Sequence, residues 1–368
     1  MKSIFAGGAV ALALLLFTAS DASAYELNDA VDIFGYGQIW LLLSEEAGRE
    51  AATDGAATTA TGFKDKRLRF GVRGKLLEGM AFYRVMVEGA GGPVRMLDYY
   101  FGLEAAGLGF QVGRFRPYVT WEASVVSSAS LKNIERDAGL RNVTAAFFMN
   151  NALWRDNGVQ LNLGDLEKSP LALVVGVTNG TGADTAVGGD VSSDDIYANG
   201  AGDVAYTIGL AARSGRHLRF NLGYALNKHT GARTAGAAEG VDIDRTVYSA
   251  GFAYEGMEGL FWIDGEYARF TAGGNDVAYA DAELTAYYGR LGFFLAPNRL
   301  EFVARYALAA DRGIHEGTPG HEHQTVETTA TVNYYIGSTW KSQIEYTTFA
   351  PDGHDSHNAV RAMFQLAF

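Results

Sequence analysis

Strict two-residue alternation recurs along almost the whole chain, and it restricts the fold more than any other feature. In HLRFNLGYAL, residues 217–226, Leu218, Phe220, Leu222, Tyr224 and Leu226 share one face. His217, Arg219, Asn221, Gly223 and Ala225 share the other. A helix would need apolar residues at i, i+3 and i+4, so this segment is a strand with one apolar face. Residues 300–308, 326–336 and 340–347 read the same way.

Such segments predict strands near 31–43, 65–76, 79–90, 95–105, 108–115, 157–163, 171–178, 203–213, 217–226, 246–255, 259–270, 283–295, 299–309, 325–336, 339–349 and 357–368. There are sixteen, an even number. Short connections (LLEG, EAAGLG, GDLEKSP, SGR, EGMEG, APN, IGS) alternate with longer, polar, Gly-rich ones. That layout predicts an all-β fold, a 16-stranded antiparallel transmembrane β-barrel with short periplasmic turns and long extracellular loops. Lipid offers backbone groups no hydrogen-bond partners, so the sheet must close and its last strand must pair with the first, near DIFGYGQIWLLL. A soluble β-sandwich or β-solenoid is the competing architecture, and it needs its apolar faces to meet in a core. Trp40, Trp262, Tyr334, Trp340, Tyr346 and Phe368 are candidates for the interfacial girdles of a barrel.

Composition agrees with export to an envelope. Lys2, the apolar stretch Ile4 to Phe17 and Ala22-Ser23-Ala24 read as a signal peptide, residues 1–24, leaving 25–368 as one barrel without an internal domain boundary. The 46 Gly, 19 Tyr and 21 Phe with only 6 Pro suit a large β protein, and the absence of Cys excludes a disulfide framework. A net charge of −12 argues against nucleic acid as a partner. The predicted setting is the outer membrane of a Gram-negative bacterium, among lipid and lipopolysaccharide.

The face opposite the apolar one would line the lumen. In RLRFGVRGK it carries Arg67, Arg69, Arg73 and Lys75, while Leu68, Phe70 and Val72 face lipid. Arg84, Arg219, Arg290, Arg305, Lys341 and Arg361 join by the same parity. In a wet channel these cations form an anion-attracting ladder; the plainer reading is a solvated wall paired with lumen carboxylates such as Glu88, Asp98, Glu266, Glu301, Glu327 and Glu345.

Residues 109–141, GFQVGRFRPYVTWEASVVSSASLKNIERDAGLR, carry a more specific pattern. Gly113-Arg114-Phe115 with Pro117, Glu122 with Ser127 and Ser128, and Glu135-Arg136 resemble a segment of the phosphate-selective porin O and P family, as does the strand before it, RMLDYYFGLE. The resemblance implies a homotrimeric barrel whose third loop, 116–156 here, folds inward as a constriction lined by phosphate-binding cations. By it, Arg116, Lys132, Arg136 and Arg141 are constriction cations, and Glu135 is a structural partner of one of them. Arg114 points outward by parity unless a bulge accompanies Pro117. It also implies small anionic solutes, no cofactor, and a terminal Phe368 read by the barrel-assembly machinery. Acidic outer loops (Glu45, Glu46, Asp184, Asp190, Asp194, Asp195) depart from an anion-capturing mouth.

Five histidines fall in the last two long loops. His321, His323, His354 and His357, beside Glu316, Glu322 and Asp355, are candidate ligands for zinc, copper or nickel, although loop histidines are more often simply solvated. No catalytic arrangement stands out, so the chain reads as a passive channel rather than an enzyme. The alternatives are a general or cation-tolerant diffusion porin, and a receptor or structural barrel with metal-binding outer loops.

Overall fold

The computed structural model describes residues 25–368 except 29, 47–58, 149–153, 181–203, 216, 233–240, 277–279, 314–321 and 354. The predicted signal peptide, His321, His354 and the acidic residues 184–195 therefore lie outside the described residues. The strands are β1 (Tyr25–Asn28), β2 (Val31–Glu46), β3 (Thr59–Leu76), β4 (Ala81–Glu88), β5 (Arg95–Ala105), β6 (Leu108–Phe115), β7 (Asp156–Leu163), β8 (Leu171–Thr178) and β9 (Ala205–Ser214). They continue with β10 (Leu218–Ala232), β11 (Val241–Gly256), β12 (Phe261–Ala272), β13 (Glu283–Ala296), β14 (Leu300–Arg312), β15 (Glu322–Ile336), β16 (Trp340–Pro351) and β17 (His357–Ala367). Between β6 and β7 lie two helices, α1 (Trp121–Ser124) and α2 (Ala138–Phe147).

Strands β2 to β17 pair antiparallel with their chain neighbours, and β17 pairs with β2 to close a sixteen-stranded ring. The closing seam matches Phe364 with Ile39 and Ala367 with Tyr36, and Phe368 exchanges two 3.0 Å backbone hydrogen bonds with Gly35. The short β1, absent from the sequence reading, pairs with the next stretch of β2 (Tyr25 with Ile33, Glu26 with Asp32). It thus continues the row that β17 ends, so β2 keeps a partner to its end. Among the described residues no helix is long and apolar enough to cross a membrane; this chain crosses with strands.

Burial is inverted relative to a water-soluble protein. On β16, Lys341, Gln343, Glu345 and Thr347 are buried, whereas Ile344 and Tyr346 are exposed. On β10, Phe220 and Leu222 are more than half exposed while Asn221 is buried. An apolar outer belt around a polar interior is what hydrocarbon on the outside requires, and it removes the sandwich and solenoid alternatives. Two of the expected girdle residues are corrected. Trp40 packs inside with Ile134 and Met363, and Trp262 points inward to donate Nε1–H to Glu301 at 2.7 Å. Each shares the parity of inward residues on its own strand.

The connection between β6 and β7 does not stay outside. It enters the barrel and lies against the inner faces of β9 to β14, where Ala205, Ala225, Val247, Ala268, Ala286 and Ala307 form a shelf of small side chains. Onto this shelf α2 lays Leu140, Val143 and Phe147, positions i, i+3 and i+7 of one helical face. Burying each such side chain contributes about 1.5–3 kcal/mol. Asp137 caps the helix by accepting the Leu140 N–H at 2.8 Å. At the other end, Arg245 and Asn227 donate to the carbonyls of Ala146 and Phe147, which the helix leaves without internal partners. Arg245 is itself paired with Asp276, and both side chains are fully enclosed. Tyr118 enters where β9 and β10 carry glycine: a Cβ on Gly209 would sit 2.5 Å from its ring, and one on Gly223 2.7 Å.

Candidate functional site: the constriction

An irregular loop inside a barrel needs partners for its backbone, because no strand ladder supplies them. The inner faces of β11 to β17 provide them residue by residue. Ser249 donates to Val119 O, and Glu266 accepts the N–H groups of Trp121 and Glu122. Glu345 accepts Ile134 N–H, Arg305 donates to Glu135 O, and Asn333 and Gln343 donate to Lys132 O. Lys341 donates to Ala129 O and Leu131 O, and Gln365 to Ala129 O. Side-chain pairs add to these: Arg290 to Glu122 at 2.8 Å and Lys132 to Glu301 at 2.8 Å, with the Lys132 ammonium also within 6 Å of the Trp262, Phe294 and Tyr335 rings.

The loop thus leans on one side of the lumen and leaves a cavity of about 480 Å³ facing β3 to β5. Eight cationic side chains line it: Lys66, Arg67, Arg69, Arg95, Arg116, Arg136, Arg141 and Arg155. Only two carboxylates, Glu88 and Glu135, share that lining.

Seven of these cations fall into two groups, and the eighth, Arg95, is exposed on β5 opposite Glu88. Arg69 pairs with Glu88 at 2.7 Å and reaches Tyr36 Oη at 2.8 Å; Arg155 pairs with Asp98 at 3.0 Å; Lys66 and Arg141 both bind Glu135. Arg67, Arg116 and Arg136 are instead hydrogen-bonded to neutral oxygens: Gln38 Oε1 at 2.8 Å, Ala123 O at 2.8 Å and Val126 O at 2.6 Å respectively. A neutral acceptor fixes a guanidinium without cancelling its charge. Burial lowers the Arg136 guanidinium to about 10, still cationic at neutral pH. Burial, then the neighbouring Arg155 and Arg136, also lower Arg116, which marks the crowding of positive charge here.

Of the sequence-predicted pore cations, Arg67, Arg69, Arg116, Arg136 and Arg141 come together in this cavity. The others sit elsewhere. Arg73 pairs with Asp32 at 2.5 Å, Arg84 with Asp98 at 3.3 Å, and both guanidiniums lie within about 5 Å of the Phe34 ring centroid. Lys75 is exposed near the β3–β4 turn. Arg219 stacks on Trp121 of the loop at 3.8 Å, Arg305 pairs with Glu327, and Arg361 lies 5.8 Å from Trp40, cross-strand from Glu345. Lys132 and Arg305 serve the loop's attachment rather than the cavity. Arg114 is 1% exposed and so is not on the lipid face; Gly113, at φ +129°, breaks the alternation just before it.

Lys66, Arg95 and Arg155 were missed. Strict alternation puts Lys66 on the lipid face, but the register slips there: Arg67 opposes Gln38 and Asp65 opposes Ile39, so Lys66 is the extra residue of a β-bulge. The bulge lets it turn inward beside Arg67 and over the Trp40 ring at 4.1 Å. Of the predicted metal ligands, His323 lies on β15 opposite Asp311, and His357 stacks on Phe349 at 5.0 Å. Among the described residues no three His, Asp or Glu side chains converge as a metal site.

Several solved structures share this architecture. An anion-selective porin from Comamonas acidovorans aligns at TM-score 0.62 and 15% identity, over 92% of this chain and 99% of that one. OmpT, an outer-membrane protein of Vibrio cholerae, aligns at 0.59 and 14% identity over 94% and 100%; it is also known in a trimer form. OprB of Pseudomonas putida aligns at 0.62 and 10% identity over 93% and 95%. No family model and no curated protein matches the chain. At these identities the likeness is one of fold, that of outer-membrane porins.

Proposed function

We propose that this protein is a passive, non-enzymatic outer-membrane porin that favours small anions. The observation that carries the proposal is the constriction itself, eight cations against two carboxylates, with Arg67, Arg116 and Arg136 held by neutral oxygens. Solutes diffuse down their gradient through the gap between the loop and β3 to β5. Guanidinium forks there replace part of an anion's hydration, and their planar donor geometry suits a small oxyanion such as phosphate. The fold shared with an anion-selective porin, the run of cations on β3, and the resemblance of residues 109–141 to phosphate-selective porins all point the same way. The same reading takes a homotrimer in lipid and lipopolysaccharide as the working assembly, with Phe368 at the seam recognised by the barrel-assembly machinery.

Reversal potentials of the purified protein in a planar bilayer under a KCl gradient test this. Chloride preference at 0.1 M salt that weakens toward 1 M is the expected result, since the Debye length falls from about 10 to 3 Å over that range. Clear potassium preference would overturn the anion reading, and no conductance at all would favour a receptor or structural barrel.

A further inference from the structure

The one acidic side chain that the loop contributes to the cavity is Glu135. Its backbone is fixed from the docked side, with Arg305 donating to its carbonyl at 2.9 Å and Glu345 holding the N–H of Ile134 at 2.8 Å. Its side chain reaches the other way, across to the wall. One carboxylate oxygen accepts from Lys66 on the β3 bulge and the other from Arg141 on α2, at 3.2 Å. A passing carboxylate or phosphate would take the same posture, each oxygen on a different cation.

We infer that Glu135 is a tethered counter-anion that competes with solutes for Lys66 and Arg141 and so limits how tightly the constriction holds them. This rests on the anion-preferring channel proposed above. A channel must bind its solute well enough to admit it and weakly enough to release it. With Arg69 and Arg155 already paired to Glu88 and Asp98, Lys66 and Arg141 would otherwise join Arg67, Arg116 and Arg136 in holding a multivalent anion; Glu135 occupies these two and yields when a solute arrives. Burial opposes its charge, but Lys66 and Arg141 outweigh burial and hold the carboxyl down at about 2, so the counter-charge persists throughout the neutral range. The bulge gains a purpose from this: without it Lys66 would face lipid and the bridge from loop to wall would be lost.

Glu135→Gln keeps the shape and removes the charge. In planar bilayers at 0.1 M KCl, the chloride-to-potassium permeability ratio should rise about fivefold, the effect of one elementary charge about 8 Å from the path in a water-like medium, acting with opposite sign on the two ions. Inorganic phosphate should then block chloride current at a correspondingly lower concentration than in the wild type. Lys66→Gln tests the same idea with opposite sign and covers the case in which the first variant fails to fold, as judged by heat-modifiable mobility: the ratio should fall below wild type. A wild-type channel that prefers chloride, with either folded variant unchanged in ratio and phosphate block, would overturn the role of Glu135 alone. A wild-type channel that prefers potassium would overturn the anion reading on which it rests.

Discussion

Replacing Arg290 by Met tests whether the loop is held by the wall in the way the geometry indicates. Arg290 sits at the centre of a buried cluster: Nη1 donates to Glu122 of the loop at 2.8 Å, Nε and Nη2 grip Asp264 at 2.9 Å each, and Nη2 meets Tyr288 Oη at 3.1 Å. Its side chain is 4% exposed and that of Glu122 only 1%. Removing one partner of such a pair leaves the other charge buried and typically costs about 3–5 kcal/mol. The barrel keeps its strand ladders, so the penalty falls on loop docking. Hydrogen–deuterium exchange of peptides covering α1 and α2 should accelerate by about 10²-fold or more, while β15 and β16 peptides keep wild-type protection. The double variant R290M/E122Q removes both charges yet leaves an amide oxygen to accept the Asp137 N–H that Glu122 holds at 3.0 Å. It should recover part of the lost protection, because Glu122 no longer leaves a lone buried charge, while Asp264, 17% exposed, still lacks its cation. Wild-type exchange in R290M, or no recovery in the double variant, would refute the reasoning.

Two further perturbations address the same docking. Ala286→Leu crowds the shelf where a Cβ on Gly139 would already lie 2.7 Å from the Ala286 Cβ. Overpacking of this kind costs about 1–3 kcal/mol, so single-channel recordings should show added noise or new conductance levels, and quiet traces would count against the shelf. Burial, opposed by Arg305 but reinforced by Glu327 and Glu122, raises the Asp137 carboxyl to about 7. In a released loop its value is about 4, so docking is most favourable below about pH 4 and weakens as pH rises toward 7. Glu135 shifts the other way and matters only below about pH 4.5. Asp137→Asn keeps a capping side chain, so it should flatten the pH 4–7 slope of loop exchange protection, after correction for intrinsic rates. A wild-type loop that tightens as pH rises would sink this assignment.

The barrel was legible in the sequence because lipid enforces alternation at every strand; one arginine or lysine out of phase near mid-membrane costs about 2–4 kcal/mol. Arg361 shows the rule working: out of phase with Phe364 and Leu366, it lies inside near Trp40. Within the lumen no such filter operates. Parity places Arg69 and Arg305 on the same inner surface, but only tertiary docking decides that Arg69 lines the gap while Arg305 holds the Glu135 carbonyl. Lys66 escaped because a bulge leaves no mark in an alternation pattern already broken by Lys64, Asp65 and Lys66. One overlooked signal did exist. The inner positions Ala205, Ala225, Ala268, Ala286 and Ala307 are small and apolar on five strands, where a wet wall has no reason to be. Read together, they mark the place where something packs.

That packing also explains how a chain of net charge −12 can carry a cationic cavity inside its barrel. The loop needs acceptors and donors for a backbone that crosses the lumen, and the wall from β11 to β17 supplies them. Glu266 and Glu345 there accept loop N–H groups, Glu301 takes Lys132, and Glu327 with Asp264 balances Arg305 and Arg290. The lumen carboxylates are therefore concentrated on the docked half, each committed to a donor. Across the gap, β3 to β5 and the loop's free edge keep arginines whose partners are largely neutral oxygens or shared acids. The charge asymmetry is thus a consequence of where the loop leans. A barrel with the same inner residues but an undocked loop would expose those carboxylates to the same water as the arginines, and the local excess of positive charge would shrink accordingly.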